Sequence, residues 1–172
     1  MITYKKLQEI LNYDLITGIF TWKKSGKGIK HGVDSVAGSK TYDGYIAIRT
    51  GGKVYLAHRL AWLYVHGVWP NGGLDHKNTN KIDNSIDNLR EATPTQNHQN
   101  SKAYKNNKLG IKGIRETPSG KFQVIIKAPD KYLCLGTFAT LEEAKKEYEN
   151  AAKEIHGEFV HFSIGGWGLK WD

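Results

Sequence analysis

The sequence predicts an α+β protein with a strand-rich first unit and a second unit in which strands are followed by one helix. Short apolar segments bounded by turn residues, such as GYIAIR (44–49) and KVYLA (53–57), recur in the first hundred residues. The segment KFQVIIK (121–127) alternates between two faces, as a half-buried strand does. Helical spacing of apolar residues then runs over about 141–156.

The first unit opens with a predicted helix over TYKKLQEILNY (3–13), which Thr3 is placed to cap. Strands are predicted next at GIFTW (18–22), at 44–49 and at 53–57, and a glycine pair at 51–52 supplies the turn between the last two. These elements supply the apolar residues for a first core.

Two more helices are predicted on either side of a polar segment. HRLAWLYVHG (58–67) reads as a helix ended by its final glycine. The stretch LDHKNTNKIDNSIDNLR (74–90) follows, with one acid–imidazole pair and many carboxamides. Thr93 and Pro94 then fit the cap and first turn of a third, short helix. We interpret 74–90 as a polar loop that builds a site.

The second unit is predicted to expose one face of its strands. Within 121–127 the apolar side chains at alternate positions face the helix, and the other face carries Lys121, Gln123, Ile125 and Lys127. YLCLGTF (132–138) supplies the next strand, and Tyr132 is expected on the same outer face. The predicted domains are 1–100, a basic polar linker at 101–110, 111–165, and a tail at 166–172.

Bulk properties narrow the class of function. The chain has 172 residues and a formal net charge of +8, which favours an anionic partner such as nucleic acid. No segment is long and apolar enough for a membrane span, and no signal peptide opens the chain. The lone Cys134 forms no internal disulfide, so we expect a reducing cytoplasm.

The polar loop holds the groups needed to cut a phosphodiester. Asp75 offers an anionic oxygen and Asn97 a neutral one, which suits one Mg²⁺ or Mn²⁺ ion better than zinc. His76 has the ordinary pKa to take a proton from an attacking water. Consecutive strand residues point oppositely, so we expect a bend or bulge after Gly72-Gly73 to bring Asp75 and His76 to one site.

The middle third resembles the HNH homing endonucleases of phages, which carry a ββα-metal motif. The elements that match are His58-Arg59-Leu60, Asp75-His76, Asn88-Leu89-Arg90, Asn97 and Asn100. The resemblance implies that His76 is the general base and that Asp75 and Asn97 bind the metal. It implies that Asn88 ties the loop to the backbone and so orients His76. The last metal position is often histidine in this family, so His98 is the alternative to Asn97.

Residues 110–162 are similar to AP2/ERF-type DNA-binding domains. That resemblance implies a small three-stranded antiparallel sheet, backed by one helix, that enters the major groove of double-stranded DNA. The implied DNA contacts are Lys112, Arg115, Lys121 and Lys127, and Gln123 and Tyr132 share their face. Thr117, Ser119 and Cys134 replace the arginine or tryptophan of plant members, so base recognition does not transfer. Segment 101–131 carries eight basic residues against two acidic ones.

The sequence therefore predicts a divalent-metal-dependent DNA endonuclease of the phage homing type. We expect a monomer that nicks its target, in the bacterial host cytoplasm if a phage encodes it. The alternative is a regulatory DNA-binding module whose nuclease domain has decayed, and a non-nucleic hydrolase is disfavoured because no Ser- or Cys-centred nucleophile is evident. Arg59 and Arg90 are predicted DNA contacts that can equally pair with loop carboxylates. His58 could line the site, but at the start of an amphipathic helix it is expected to pack or to form a hydrogen bond.

Overall fold

The computed structural model describes residues 1–24, 32–101, 103 and 107–160. By its internal contacts the chain divides into two units, Met1–Asn97 and a second that begins at His98. The predicted domain limits stay predictions, and the predicted tail at 166–172 lies outside the described residues. Within the described ranges, no helix has the length and apolar character that crossing a membrane requires.

The first unit mixes short strands with three helices in the described ranges. Its elements, in chain order, are α1 (Tyr4–Ile10), β1 (Leu11–Tyr13), β2 (Phe20–Trp22), β3 (Ser39–Lys40), β4 (Ile46–Thr50), β5 (Lys53–Leu56), α2 (Ala57–His66), β6 (Gly73–His76), a 3-10 turn (Ile86–Asn88), β7 (Leu89–Ala92) and α3 (Pro94–Gln99).

The first helix is capped as predicted but ends earlier. The Thr3 hydroxyl accepts a hydrogen bond from the backbone N–H of Lys6, which satisfies one of the free amides of the first turn. The predicted helix over 3–13 was wrong at its end, because β1 leaves the helix and pairs antiparallel with β2. Cross-strand pairing thus overrides helical spacing in its last three residues.

A three-stranded antiparallel sheet, in the order β3-β4-β5, leads directly into α2. Strand β3 was not predicted, and its two residues carry no alternation to reveal it. Helix α2 ends as predicted at Gly67, whose φ of 75° is the left-handed conformation that glycine adopts readily. The core of this unit is formed by Leu7, Leu11, Phe20, Ile48, Leu60 and Leu63.

The polar stretch contains a hairpin that its residue pattern did not predict. Strands β6 and β7 pair antiparallel, and the residues between them form the loop. Helix α3 follows at once, and Thr93 and Gln96 exchange hydrogen bonds between side chain and backbone at its start. The order strand, strand, helix agrees with what the resemblance to ββα-metal nucleases implied.

The second unit is a three-stranded antiparallel meander backed by a helix. Its elements are β8 (Ile114–Glu116), β9 (Phe122–Lys127), β10 (Tyr132–Phe138), α4 (Leu141–His156) and a 3-10 turn (Gly157–Phe159). Thr140 and Glu143 form a capping box at the start of α4. Val124 and Ile126 are buried against Ala144 and Tyr148, so the predicted inner face and the α+β class are confirmed.

Candidate active site

The β6–β7 hairpin and α3 position the predicted site residues. Asp75 and His76 end strand β6, and Asn88 precedes β7. Asp75 and His76 are buried to 4% and 6% exposure, although they are polar. Polar side chains this deep need hydrogen-bonding or charged partners, and those partners define the geometry of the site.

The Asp75 carboxylate is paired with the arginine opposite it in the hairpin. Asp75 and Arg90 are direct cross-strand neighbours in the antiparallel register. Arg90 Nη2 lies 2.7 Å and Nε lies 2.8 Å from the same carboxylate oxygen, Oδ2. Of the two alternatives predicted for Arg90, the structure places it with a carboxylate; contact with DNA stays a prediction.

The His76 ring lies among other rings. His58 meets it edge-on, with ring centroids 5.1 Å apart and an interplanar angle of 80°. The Tyr45 ring lies 5.3 Å from His58 and 6.0 Å from His76. Burial lowers the pKa of His76, although the hydrogen bond to Asn84 and the Asp75 charge oppose that effect. His76 is therefore neutral near neutral pH and can accept a proton.

Asn84 determines which nitrogen of His76 carries the proton. The Asn84 amide Nδ2 donates to the carbonyl of Ile82 at 3.2 Å, which fixes the amide orientation. Its oxygen Oδ1 lies 3.2 Å from His76 Nε2. An amide oxygen only accepts, so Nε2 must be the protonated nitrogen and Nδ1 carries the lone pair.

Asn88 holds the loop rather than the His76 ring itself. Its Nδ2 donates to the carbonyl of Asp83 at 2.8 Å, and its Oδ1 accepts from the backbone N–H of Asn78 at 3.0 Å. Asn78 Nδ2 in turn donates to the Asp83 carboxylate at 2.7 Å. These bonds brace both sides of the loop that carries Asn84.

Asn97 is attached to the strand that carries Asp75. Its Nδ2 donates to the carbonyl of Leu74 at 3.2 Å, so the carboxamide oxygen is left for another partner. Among the described residues, no group of three His, Cys, Asp or Glu side chains could hold a metal ion by itself. A carboxylate and a carboxamide fit a hard divalent ion that keeps water and substrate oxygens as its other ligands. His98, the alternative ligand, is the next residue of α3.

The predicted bulge after Gly72-Gly73 is absent. The hairpin register runs from Gly73–Ala92 to His76–Leu89 without a shift. In a regular ladder, successive side chains point to opposite faces, so Asp75 and His76 leave the ribbon on different sides. A site that uses both must therefore lie at the end of the ribbon, where β6 stops at His76.

The outer face of the sheet in the second unit carries most of the predicted DNA contacts. Arg115, Lys121, Lys127 and Tyr132 are exposed and Gln123 is half-buried. Arg115 Nε donates to Gln123 Oε1 at 2.7 Å, and Lys127 Nζ lies 5.9 Å from the centre of the Tyr132 ring. The sheet therefore presents a basic face opposite α4.

Two predicted DNA contacts have structural partners. Lys112 Nζ donates to the carbonyls of His98, Gln99 and Ser101 at 2.8, 3.0 and 2.9 Å, and burial lowers its pKa. These bonds engage its ammonium at the end of α3, and its contact with DNA stays a prediction. Arg59 Nη1 donates to the carbonyl of Gly72 at 3.0 Å and so fixes the entry to β6.

Three residues of the site escaped prediction from the sequence. Asn84 and Tyr45 had no predicted role in the site, and His58 was expected to pack or to form a hydrogen bond. Asn84 reaches His76 through a loop closure that has no periodic signal. His58 and Tyr45 reach it from α2 and the start of β4 through tertiary packing. For His58, the sequence signal was the match of His58-Arg59-Leu60 to the HNH family.

Comparisons with known proteins find relatives of this chain. The family model for the HNH endonuclease matches residues 55–99. Protein 3.8 of Escherichia phage T7 is 30% identical over 107 residues, which cover 61% of this chain and 88% of that protein. An uncharacterized HNH endonuclease, L560, of Acanthamoeba polyphaga mimivirus is 32% identical over 110 residues, 63% of this chain and 57% of that protein.

One solved structure is described as "DNA binding and cleavage by the HNH homing endonuclease I-HmuI". Its alignment covers 96% of this chain and 98% of the chain in that structure. The TM-score is 0.43 and the sequence identity 20%. The family match rests on the sequence comparisons, and residues 55–99 include Asp75, His76, Asn88 and Asn97. The chain therefore belongs to the family of phage T7 protein 3.8, and its residues 55–99 form an HNH endonuclease domain.

Proposed function

We propose that this protein is a divalent-metal-dependent DNA endonuclease whose first unit cuts the strand and whose second unit holds the DNA. The observation that carries the proposal is the buried His76 ring, bonded to Asn84 through Nε2 and adjacent in sequence to the buried Asp75. A base with a defined tautomer beside an oxygen ligand is what phosphodiester hydrolysis requires.

His76 acts as the general base. Because Nε2 donates to Asn84, the lone pair on Nδ1 takes the proton from the water that attacks phosphorus. Burial holds the pKa of His76 below its ordinary value, so the ring starts neutral. The hydrogen bonds of Asn88 to both sides of the loop keep Asn84, and so the base, in position.

Asp75 and Asn97 would hold the divalent ion, Mg²⁺ or Mn²⁺, one per site. When bound, it would supply positive charge that stabilises the phosphate in the transition state and the leaving 3′ oxygen. Asp75 contributes the anionic oxygen from β6, and Asn97 a neutral one from α3. His98 remains the alternative ligand on the same helix.

The second unit resembles AP2/ERF-type domains, and we infer that its sheet binds double-stranded DNA. Exposed Arg115, Lys121 and Lys127 supply positive charge for phosphates, and Gln123 and Tyr132 offer a hydrogen-bonding group and a ring beside them. We further infer a phage homing role, a monomer, and nicking of one strand, because one chain carries one candidate site.

A regulatory module with an inactive nuclease domain is the second candidate. The observation that favours it is the ion pair of Asp75 with Arg90, since a guanidinium already neutralises the carboxylate that would bind the metal. Under this alternative the protein binds DNA and does not cut it. The intact set of Asp75, His76, Asn88 and Asn97 favours the nuclease.

Supercoiled plasmid and phage DNA incubated with Mg²⁺, Mn²⁺ or EDTA test the proposal, with wild type beside Asp75→Asn. We expect metal-dependent conversion to open circles and a large loss of rate in the variant, with DNA binding retained. Linear product would instead indicate two engaged sites. Binding without cutting of any tested DNA in either metal would support the regulatory module.

A further inference from the structure

His58 is a buried histidine in the first turn of α2, and its place among the elements that match the HNH family does not say what it does in the reaction. It is 6% exposed, and its ring meets His76 at nearly a right angle. Tyr45, the residue before β4, lies against both rings. It forms one cluster with His58 of α2 and His76 of β6. The cluster surrounds the proposed base without involving Asp75.

The Nδ1 atom of His58 is buried and has no hydrogen-bond partner among the described residues. A buried polar atom without a partner costs free energy that a phenyl ring of the same shape would not. Burial, with the neighbouring His76 and Arg59, lowers the pKa of His58 to about 4, so the ring is neutral at neutral pH. If His58 only filled space in the core, an apolar ring would stabilise the fold more.

We propose that His58 is a positioning residue of the nuclease reaction, which fixes the His76 ring by edge-on contact and acts through its Nδ1 nitrogen as well as its shape. This inference rests on the proposed role of His76 as the base. The hydrogen bond to Asn84 determines which nitrogen of His76 is protonated. The contact with His58 fixes the rotation of the His76 ring.

The Nδ1 atom of His58 forms its hydrogen bond in the DNA-bound state. When an oxygen ligand, either a water molecule or a phosphate oxygen, is ordered beside the base, it gives Nδ1 the partner that the described residues do not supply. The described residues leave this buried nitrogen without a partner, at a cost in free energy that an oxygen ligand bound beside the base would remove. Such a cost at a functional site is a known way of favouring the bound geometry.

Three substitutions separate ring shape from the nitrogen. His58→Phe keeps a ring without polar atoms, His58→Asn keeps an amide near the Nδ1 position, and His58→Gln keeps one near the Nε2 position. His66→Asn, at an exposed histidine in the last turn of α2, is the matched control. Each full-length variant is examined by long-range ¹⁵N NMR of its histidine rings, by single-turnover cleavage and by DNA binding.

We expect His76 in the wild type to show the spectrum of the Nε2–H tautomer. In His58→Phe we expect averaged nitrogen shifts, because a displaced His76 ring loses the hydrogen bond to Asn84 that fixes the tautomer. Single-turnover cleavage by His58→Phe should fall by about 10- to 100-fold at unchanged DNA affinity, as expected when a catalytic group is misplaced. His58→Asn should recover part of the rate and His58→Gln should not. If phosphorothioate DNA slows cleavage less in His58→Phe than in the wild type, the partner is a phosphate oxygen, and equal slowing indicates a water molecule.

A His58→Phe protein with wild-type nitrogen shifts and wild-type cleavage would overturn the proposal. Equal rates for His58→Asn and His58→Gln would do the same, and this pair still decides if His58→Phe does not fold. If the wild type cuts no DNA, the proposed function fails. The NMR comparison then still tests whether His58 positions His76.

Discussion

Arg90 and Asp75 form a buried ion pair in which two guanidinium nitrogens, Nη2 at 2.7 Å and Nε at 2.8 Å, share one carboxylate oxygen. Their side chains are only 10% and 5% exposed, so solvent screens the pair little. The pair joins the centre of β6 to the centre of β7 and holds the carboxylate proposed to bind the metal. It therefore affects stability and activity together.

Arg90→Met should destabilise the protein by about 3–5 kcal/mol, because it leaves a buried carboxylate without its counter-charge. Chemical denaturation measures the change. The double variant Asp75→Asn with Arg90→Met should recover much of the loss. As a control, removing the exposed pair of Lys6 and Glu9 should cost less than about 1 kcal/mol. A loss below that control value for Arg90→Met would contradict the account.

Stability should fall as pH decreases from 6.5 towards 4. The buried His58 has a pKa of about 4 in the folded state against an ordinary 6.5, so in this window only the unfolded chain takes up the proton. The stability that comes from keeping His58 neutral is fully present above pH 6.5. Up to about 3 kcal/mol of the free energy of unfolding is lost as the pH falls towards 4. His58→Phe should show a shallower decrease in the free energy of unfolding between pH 7.5 and 4.5. Parallel curves for the two proteins would be inconsistent with a buried neutral His58.

Gly18 should prove sensitive because it packs against the loop that holds the base. Its φ is 70°, and a Cβ there would lie 2.2 Å from the backbone of Asn84 and of Ser85. Gly18→Ala should therefore displace Asn84 and lower both stability and cleavage. Gly51→Ala has a similar φ of 56° with open space around it, so it should cost only about 1 kcal/mol of strain. Equal effects of the two substitutions on cleavage would show that the contact with Asn84 is unimportant.

The basic face of the second unit should appear in the salt dependence of DNA binding. Lys127→Ala should reduce the slope of log affinity against log salt concentration by about 0.9, the value for one phosphate contact. Lys146→Ala, at an exposed position of α4, should leave the slope unchanged. Lys112→Ala should lower the free energy of unfolding and change the slope little, because Lys112 donates hydrogen bonds to three backbone carbonyls. An unchanged slope for Lys127→Ala would remove this face from the interface.

Elements with a strong periodic pattern were predicted well from the sequence. Helix α4 and strands β9 and β10 lie where the alternation and the helical stripe place them, and Thr3 and Thr93 cap as expected. The β6–β7 hairpin was missed because buried Asp75 and His76 replace the apolar residues that normally reveal a strand. Only the family resemblance indicated it.

The site was predicted only as far as its motif extends along the chain. Asp75, His76, Asn88 and Asn97 are close in sequence and recur in a familiar order. Asn84 and Arg90 owe their roles to loop closure and to strand register, which no spacing rule reports. His58 and Tyr45 arrive by packing of distant elements, so their place beside His76 required the three-dimensional structure.

Single-turnover nicking of plasmid DNA by His76→Ala, with His66→Ala as the matched control, tests the central claim most directly. We predict that His76→Ala binds DNA like the wild type and nicks it at least about 100-fold more slowly in Mg²⁺ or Mn²⁺, because the base is lost. His66→Ala should nick at the wild-type rate. Wild-type nicking by His76→Ala would contradict the assignment of His76 as the base and with it the proposed mechanism.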